Sequence, residues 1–206
     1  MKGGSGKSTL AVCLAVHWHL TGRCTTIVDA DPQRSIARLA LRERALGDVA
    51  VVEDASENAW KTAQNLAGDG GTIVIDTPGY RSQATLACIA AADFLLVPVK
   101  ASPLDVDRML DTLNSLVGRV DGRRPIFRCV LTQTTRDSVV AKHIRSELIE
   151  AGYPVLKSEM TNRVIYAEAA LWGATPTIID RNGIAALEIE AIADEIDGII
   201  GIKQAA

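Results

Sequence analysis

Aromatic residues and paired cysteines are scarce in this chain of 206 residues. Phe, Trp and Tyr together make up 4% of the sequence, although hydrophobic residues make up 48%. The core must therefore be built from Val, Ile, Leu and Ala, as in buried parallel sheets. The four cysteines form no CxxC pair and show no metal-ligand spacing. We expect free thiols in a reducing cytosol instead of a disulfide or zinc framework.

A basic excess, a membrane-spanning run and a secretory leader are also absent. The net charge is −3, whereas a dedicated nucleic-acid module is usually basic, so any DNA binding must come from a local patch. No apolar run reaches the ~18–20 residues that span a bilayer. The opening residues MKGGSGKST do not resemble a signal peptide. We expect a cytoplasmic protein in which residues 1–206 form a single domain.

Short β-branched runs alternate with segments of helical periodicity along the chain. Strands are predicted at Thr25–Val28, Val49–Val52, Thr72–Ile75, Phe94–Val99, Ile126–Leu131 and Pro154–Leu156. Helices are predicted at Ser56–Leu66, Leu104–Leu116, Val139–Ala151 and, with Asn182 as N-cap, near the end of the chain. The alternation predicts an α/β fold with a mostly parallel β-sheet and helices on both faces.

A glycine-rich loop near the start of the chain carries the strongest chemical signal. The residues are Lys2, Gly3, Gly4, Ser5, Gly6, Lys7, Ser8 and Thr9, and they lead directly into a predicted amphipathic helix. Glycines let backbone N–H groups approach phosphate oxygens, and a helix N-terminus favours an anion. In such a loop Lys7 would reach the β- and γ-phosphates, and the Ser8 hydroxyl would bind Mg²⁺. The loop therefore predicts a nucleotide site.

Acidic residues end two of the predicted strands. Asp29 and Asp31 lie two positions apart after the first strand, where both can face one polyphosphate. Asp76 follows Thr72–Ile75 in the pattern of a Walker B motif, and its carboxylate would hold Mg²⁺ through water. Either motif alone is also compatible with a solvated turn. Their order after the glycine-rich loop favours a single nucleotide site.

Together these motifs resemble the ParA/MinD family of deviant Walker A P-loop ATPases. The usual loop has Gly where this chain has Met1, and Lys2 followed by two glycines is similar to the family pattern KGGxGK[ST]. Residues 29–33, Asp-Ala-Asp-Pro-Gln, are similar to the family's DxDPQ box. The resemblance extends from Lys2 to about Pro176 and implies a three-layer α/β/α fold that takes ATP and Mg²⁺.

The resemblance implies a role for several residues. Lys2 would reach across an ATP-bound homodimer to the partner's phosphates, although a solvated lysine is the alternative for this position. Asp31 would lie beside the attacking water, and Asp29 would lie near the hydration shell of Mg²⁺. Catalysis is thus expected from Lys2, Lys7 and Asp31, and Mg²⁺ binding from Ser8, Asp29 and Asp76.

Contacts with the base and with DNA rest on weaker signals. Thr132 ends a predicted strand at a place where the family commonly contacts the nucleotide base, and Arg163 lies in a segment where family members contact DNA. An ordinary surface or capping arginine explains Arg163 equally well. Further basic residues cluster at Arg119, Arg123, Arg124 and Arg128, and at Lys142, Arg145 and Lys157. Most such clusters are only solvated faces.

By resemblance, the expected function is ATP-driven positioning of a cargo. The ATPase would dimerise with ATP, bind nonspecific DNA on the nucleoid, and hydrolyse ATP slowly when a ParB-like or centromere-binding activator stimulates it. The cargo would be a plasmid, a chromosome or a protein compartment. The alternatives are a metabolic P-loop enzyme of the dethiobiotin or cobyrinate type and a scaffold without hydrolysis. A membrane-bound MinD role is disfavoured, because residues 199–206 form no basic amphipathic helix.

One strand of the expected sheet is missing from the sequence. A phosphate-binding loop normally lies between a strand and a helix, but Met1 already lies inside the loop. The neighbouring strands are then expected to keep unpaired N–H and C=O groups. We expect either a short apolar strand encoded upstream of Met1, or compensation by water, by a rearranged sheet or by a partner's strand. Phosphate affinity is expected to fall, because the loop loses one anchor.

Overall fold

Strands and helices alternate along the residues that the structure, a computed structural model, describes: 4–68, 70–79, 82–102 and 125–201. The strands are β1 (Thr25–Asp29), β2 (Ala50–Glu53), β3 (Thr72–Asp76), β4 (Phe94–Lys100), β5 (Ile126–Thr134) and β6 (Met160–Thr161). The helices are α1 (Lys7–Leu20), α2 (Ser35–Ala40), α3 (Ala59–Ala67), α4 (Gln83–Ala91), α5 (Val139–Glu150), α6 (Val164–Leu171), α7 (Pro176–Ile179) and α8 (Ile184–Ile200). None of these helices has the length and apolar character needed to cross a bilayer.

The described strands form two parallel sheets of three strands each, not one continuous sheet. The strand order is β2-β1-β3 in the first sheet and β4-β5-β6 in the second. Asp29 of β1 is paired with Asp76 of β3, and Lys100 of β4 is paired with Thr132 of β5. The other edges of β3 and β4 pair with no described strand. The expected parallel sheet is therefore present, but it is split between β3 and β4.

Helices cover both faces of the two sheets, because side chains alternate between two apolar layers along each strand. Ile27 of β1 and Val130 of β5 point to the layer that contains α1. The neighbouring Val28 points to the layer of α3 and α4, and Cys129 points to the layer of α5. This arrangement confirms the predicted three-layer α/β/α architecture.

Helix α1 joins the two sheets. Val12, Ala15 and Val16 pack with β1, β2 and α2, while Leu10 and Leu14 pack with β5 and α8. The prediction of an amphipathic first helix was wrong, because α1 is buried around most of its circumference. A helix covered on several sides has no solvent face to keep polar, so its apolar residues show no single stripe.

Two further predictions at helix starts were wrong. Helix α3 begins at Ala59 instead of Ser56, because the Ser56 N–H donates to Asp54 and shapes a turn first. Helix α8 is capped by Gly183 without a side-chain bond, and the Asn182 N–H donates to Asp180.

The predicted strand Pro154–Leu156 reduces to a single bridge between Val155 and Cys129, and a short strand forms instead at Met160–Thr161. The predicted helix Leu104–Leu116 lies outside the described residues.

Candidate functional site

The glycine-rich loop turns directly into α1 and leaves the start of that helix uncapped. Gly4 has φ 144° and Gly6 has φ 76°, which favour glycine at both positions. Gly6 occupies the N-cap position, supplies no side-chain cap, and is followed by no acidic residue in the first turn. The first N–H groups of α1 are thus available to an anion. Lys2 and Gly3 lie outside the described residues.

The carboxyl end of β5 holds the loop from one side. The Thr132 hydroxyl donates to the Ser5 carbonyl at 3.0 Å, and the Gln133 side-chain amide donates to the Gly4 carbonyl. Thr132 is completely buried. The hydroxyl of Thr132 therefore already donates its hydrogen bond to the loop. The predicted contact of Thr132 with a nucleotide base stays a prediction. Nothing in the sequence pattern indicated that Thr132 and Gln133 would support the loop.

Ser8 and Asp76 meet at the start of α1. The Ser8 hydroxyl donates to the Asp76 carboxylate at 2.6 Å. Burial raises the pKa of Asp76 to about 6; the nearby Asp29 and Asp31 charges also raise it, while the Ser8 bond and the Lys7 charge lower it. A carboxylate withdrawn from water at this position is poised for a cation, which would supply the missing charge compensation. The structure thus brings together Lys7, Ser8 and Asp76 as the sequence predicted.

Asp29 has a structural partner that the sequence did not predict. Its carboxylate accepts the N–H groups of Ile36 and Ala37, both at 3.0 Å, at the start of α2, and the Asp31 N–H at 3.3 Å. Asp29 is almost fully buried, so these backbone donors satisfy a charge that water does not reach. Asp29 therefore holds α2 beside the site, and its expected place near the Mg²⁺ hydration shell stays a prediction.

Asp31 lies in the loop between β1 and α2 and is only partly buried. One of its carboxylate oxygens accepts the Gln33 N–H at 2.9 Å, and its second oxygen has no hydrogen-bond partner among the described residues. Its charge contributes to the raised pKa of Asp76, so it lies within electrostatic reach of the Ser8–Asp76 pair. An oxygen in this position is able to accept a hydrogen bond from water.

The donor set fits magnesium held together with a nucleotide. Within the described residues no group of three or more His, Cys, Asp or Glu side chains is able to hold a metal by itself. Mg²⁺ commonly takes one or two protein oxygens and completes its shell with phosphate and water oxygens. Ser8 and Asp76 supply that small number, so the residues fit Mg²⁺ bound with a polyphosphate and not a separate metal centre.

Arg163 is paired within the protein. Its guanidinium donates to Glu188 of α8 at 2.7 and 3.0 Å, and this hydrogen bond raises the pKa of Arg163. Glu188 also accepts the Thr161 hydroxyl at 2.7 Å. Arg163 occupies the N-cap position of α6 without capping it through its side chain. A DNA contact by Arg163 would have to share or replace the Glu188 contact, and no sequence pattern indicates this pairing.

The other basic residues divide into paired and exposed groups. Arg145 forms an ion pair with Glu159, and Arg128 donates to the Phe127 carbonyl. Lys142 and Lys157 are exposed. The remaining members of the predicted clusters, Arg119, Arg123 and Arg124, lie outside the described residues.

Comparison with known proteins gives consistent matches along most of the chain. A profile of the family described as "CobQ/CobB/MinD/ParA nucleotide binding domain" matches residues 1–176. The chain is 25% identical over 177 residues to Protein ParA of Rhizobium radiobacter, covering 84% of this chain and 80% of that protein. It is 29% identical over 202 residues to maintenance of carboxysome distribution protein A of Gloeobacter kilaueensis, covering 95% of this chain and 90% of that protein.

A solved structure shares the fold. The septum site-determining protein MinD of Pyrococcus horikoshii, complexed with Mg-ADP, matches with a TM-score of 0.73 at 16% sequence identity. The match covers 98% of this chain and 94% of the other chain. At this identity the likeness concerns the fold alone, and it agrees with the three-layer arrangement of parallel strands and helices.

Proposed function

The chain belongs to the CobQ/CobB/MinD/ParA nucleotide binding domain family, and on this premise we propose that it binds ATP with Mg²⁺ and hydrolyses ATP to ADP and phosphate. One observation carries the proposal. The uncapped start of α1 lies at the buried Asp76 carboxylate, and Ser8 links the two at 2.6 Å. Donors for an anion and a carboxylate poised for a cation are thus adjacent, which is the arrangement that a magnesium polyphosphate requires.

Each loop residue has a distinct part in binding. Backbone N–H groups of Gly4–Ser8 surround the phosphates, because Thr132 and Gln133 hold the carbonyl oxygens of the same loop in other directions. Lys7 places its ammonium group against the β- and γ-phosphates. Ser8 and Asp76 would hold Mg²⁺, which would neutralise phosphate charge, and Thr9 lies beside them in the first turn of α1.

Hydrolysis needs a water positioned at the γ-phosphate. Asp31 accepts a hydrogen bond from this water through the oxygen that has no partner among the described residues. Asp29 keeps Asp31 in place, because it bonds both the Asp31 N–H and the start of α2. Lys2 supplies a cation to the partner's γ-phosphate in an ATP-bound homodimer.

ATP titration with and without Mg²⁺ tests the binding site. Ser8→Ala should lose most of the gain in ATP affinity that Mg²⁺ gives, because the hydroxyl is removed at the metal position. Ser146→Ala, on the exposed side of α5, is the matched control and should behave as the unsubstituted chain. Unchanged Mg²⁺ dependence in Ser8→Ala would refute the assignment.

The dimer is tested through Lys2. Lys2→Ala should still bind ATP through Lys7 and the loop amides, but it should stay monomeric because the cation supplied in trans is lost. Lys142→Ala removes an exposed lysine from α5 and should leave dimerisation intact. Light scattering with ATP separates the outcomes, and a normal dimer of Lys2→Ala would show that Lys2 is an ordinary solvated lysine.

We further propose that the ATP-bound dimer positions a cargo by binding nonspecific DNA and a ParB-like or other activator protein. Two relatives support this proposal, because one is named ParA and the other is named for carboxysome distribution. DNA binding should be strong with ATP, weak with ADP, and steeply dependent on salt. Equal binding in both nucleotide states, or no binding at low salt, contradicts the proposal.

The Arg163–Glu188 pair offers a sharper test of the DNA interface. Glu188→Gln removes the negative charge beside Arg163 and should strengthen DNA binding if Arg163 contacts phosphate. Arg163→Gln should then weaken DNA binding at every sequence. If Arg163 serves only to hold α8, both variants lower thermal stability and neither changes DNA affinity.

A second candidate remains, because the family description also includes CobQ and CobB. A metabolic enzyme of this kind would turn over ATP with a small carboxylic acid as co-substrate. Turnover that needs such an acid, and that neither DNA nor a protein partner stimulates, would favour this candidate over cargo positioning.

A further inference from the structure

The end of α2 and the residues that follow it run alongside the end of α6. The Arg42 guanidinium donates to the Ala170 carbonyl at 2.5 Å, and the Arg44 N–H donates to the Trp172 carbonyl at 2.8 Å. Carbonyl groups at the end of a helix have no partner within the helix. Here a segment from far earlier in the chain supplies the donors, so the two helix ends form one surface.

Gly173 determines how closely the two segments approach. Its φ is 68°, and a Cβ at this position would lie 2.6 Å from the Arg42 Cβ and 2.7 Å from the Leu39 carbonyl oxygen. Its own carbonyl accepts the Leu46 N–H at 2.8 Å. Only glycine fits such a position without strain. The surface therefore has one defined shape, and an ordered surface loses little conformational entropy when a partner binds.

Large apolar side chains are exposed on both segments. The exposed fraction is 87% for Leu41, 66% for Leu171 and 55% for Trp172. Val164 at the start of α6 is also exposed, so Glu168 is the one charged residue on the solvent side of that helix. Single apolar residues at a surface are ordinary, whereas contiguous ones mark a site of interaction. These side chains therefore indicate a binding surface at the ends of α2 and α6.

Unpaired arginines border the apolar side chains. Arg38, Arg42 and Arg44 are exposed, and none of them forms an ion pair with a carboxylate of the described residues. Five of the other seven described arginines do form such a pair, so unpaired guanidinium groups are concentrated at this place. We call this set of residues the α2–α6 surface: Arg38, Leu41, Arg42, Arg44, Leu171 and Trp172.

The composition of the α2–α6 surface favours a protein segment as its occupant. Aromatic residues and arginine are enriched where proteins bind proteins, and tryptophan and arginine contribute most to such binding. Protein–DNA interfaces are more polar and are wetter, and three large apolar side chains offer no contact to phosphate. Two copies of the chain that met through this same surface would bring like charges together. Guanidinium groups without carboxylate partners instead complement an acidic segment.

Helix α2 connects the α2–α6 surface to the nucleotide site. The N–H groups of Ile36 and Ala37 at its start donate to the Asp29 carboxylate, which also accepts the Asp31 N–H. The helix has only six residues, so its two ends are about 9 Å apart at 1.5 Å per residue. A segment bound at the surface therefore contacts the helix whose other end is bonded beside Asp31.

We propose that the α2–α6 surface is the docking site of an acidic segment of a partner protein. A large apolar side chain of this segment packs against Leu171 and Trp172, and its carboxylates pair with Arg38 and Arg44. On the premise of the proposed function, this partner is the activator of hydrolysis, because the docked segment holds α2 and, through it, the loop that contains Asp31. Docking itself is a property of the chain without nucleotide.

Selection from a random library tests the chemistry of the occupant without assuming its sequence. The probe is a library of short random peptides, selected on the nucleotide-free chain and counter-selected on the Trp172→Ala variant. Peptides that bind only the unsubstituted chain should have a net negative charge and at least one large apolar residue. A failure to obtain any peptide that distinguishes the two proteins would overturn the proposal.

The affinity of a selected peptide, measured by fluorescence anisotropy, separates the apolar contact from the charged contacts. Leu171→Ala should weaken binding by about tenfold, because it removes an apolar side chain beside Trp172. The double variant Arg38→Gln/Arg44→Gln should weaken binding by about 3–10-fold and reduce its dependence on salt. Glu168→Gln removes the exposed carboxylate one turn before Trp172 and should strengthen binding.

Matched controls lie on α5, which packs on the opposite face of the sheet. Ile149→Ala removes an exposed apolar side chain, and Lys142→Gln removes an exposed positive charge. Neither should change the affinity of the peptide. All of these variants should keep the Tm of the unsubstituted chain, because the substituted side chains are exposed.

Three outcomes overturn the proposal. Selected peptides of net positive charge, or equal affinity for the arginine double variant, would show that the guanidinium groups do not recognise the occupant. Duplex DNA that binds the unsubstituted chain but neither Trp172→Ala nor the arginine double variant would assign the surface to nucleic acid. A smaller oligomer for Trp172→Ala in light scattering would assign it to a second copy of the chain. All these measurements are made without nucleotide, so their failure is distinguishable from a failure of the proposed ATPase activity.

Discussion

The sheet β2-β1-β3 and the sheet β4-β5-β6 contribute different chemistry to the same loop. The first supplies buried carboxylates, Asp29 and Asp76, at the ends of β1 and β3. The second supplies neutral donors, Thr132 and Gln133, that bind the carbonyl oxygens of Ser5 and Gly4. The first sheet thus supplies the charged side chains of the site, and the second sheet holds the backbone of the loop in place.

This difference between the two sheets explains how the backbone N–H groups of the loop remain available to bind phosphate. Neutral donors from β5 turn the loop carbonyls away from the site, so the loop N–H groups are left to face an anion. Carboxylates on that side would repel phosphate, whereas on the β3 side they are able to hold its counter-ion. We therefore expect substitutions in the first sheet to change metal binding and rate, and substitutions in the second to change affinity modestly.

The largest expected effect is on the rate of hydrolysis. Asp31→Ala should keep ATP binding and lower turnover by about 10²–10⁴-fold, because it removes the group that we propose to position water and removes no phosphate contact. Glu57→Ala removes an exposed carboxylate near β2 and should leave turnover unchanged. Phosphate release at saturating ATP is the measurement, and wild-type turnover of Asp31→Ala would refute the role given to Asp31.

The next effect concerns the pH dependence of stability in Mg²⁺-free buffer. Burial raises the pKa of Asp76 from 3.8 to about 6, so between these values the folded state holds a proton that the unfolded state has lost. Stability should therefore fall as pH rises through this window, by about 3 kcal/mol from this group alone. Above about pH 6 both states are ionised and the slope from Asp76 disappears.

Asp76→Asn removes this titration and should be more stable than the unsubstituted chain at pH 7 without Mg²⁺. Urea unfolding measured from pH 4 to pH 7 gives the comparison. Addition of Mg²⁺ and ATP should reverse the order, because only the unsubstituted chain retains the carboxylate for the metal. An identical pH slope in both proteins would show that Asp76 is not the group responsible.

The smallest effect belongs to the second sheet. Thr132→Val removes only the hydroxyl that bonds Ser5, and one such bond contributes about 0.5–1.5 kcal/mol, so ATP affinity should fall by roughly 3–10-fold. Thr134→Val is the matched control, because Thr134 is equally buried on β5 but donates to Glu159. Both variants should lose similar stability. Equal loss of ATP affinity in both would mean that β5 acts through general stability and not through the loop.

The sequence predicted well where chemistry depends on near neighbours. The glycines of the loop, the start of α1 at Lys7, and the carboxylates that end β1 and β3 all follow from local patterns. The carboxyl ends of parallel strands lie at the same edge of a sheet, where a phosphate-binding loop also lies. A contact between Ser8, which follows the loop, and Asp76, which ends β3, is therefore expected. Local patterns also predicted five of the strands to within a few residues, because buried parallel strands have a continuous apolar signature.

The sequence did not predict the partners of side chains that the fold brings together from distant positions. Asp29 stays a predicted neighbour of the Mg²⁺ hydration shell, and the structure adds the hydrogen bonds from the start of α2 to its carboxylate. Arg163 stays a candidate DNA contact, and the structure adds its pairing with Glu188, which is 25 positions away in the sequence. A carboxylate or a guanidinium bonds whichever partner the fold brings near, and sequence separation carries no information about that distance.

The sequence alone determined the kind of site, because the residues proposed to bind phosphate and metal are adjacent in the chain or lie at strand ends. Only the tertiary structure decided that the described strands form two sheets and not one. The two sheets stay apart while α1, α3, α4 and α8 still cover them, so a cleft with two facing strand edges remains. The reason is that helix packing depends on apolar side chains, which remain on β3 and β4, whereas sheet continuity depends on backbone groups that only another strand is able to pair.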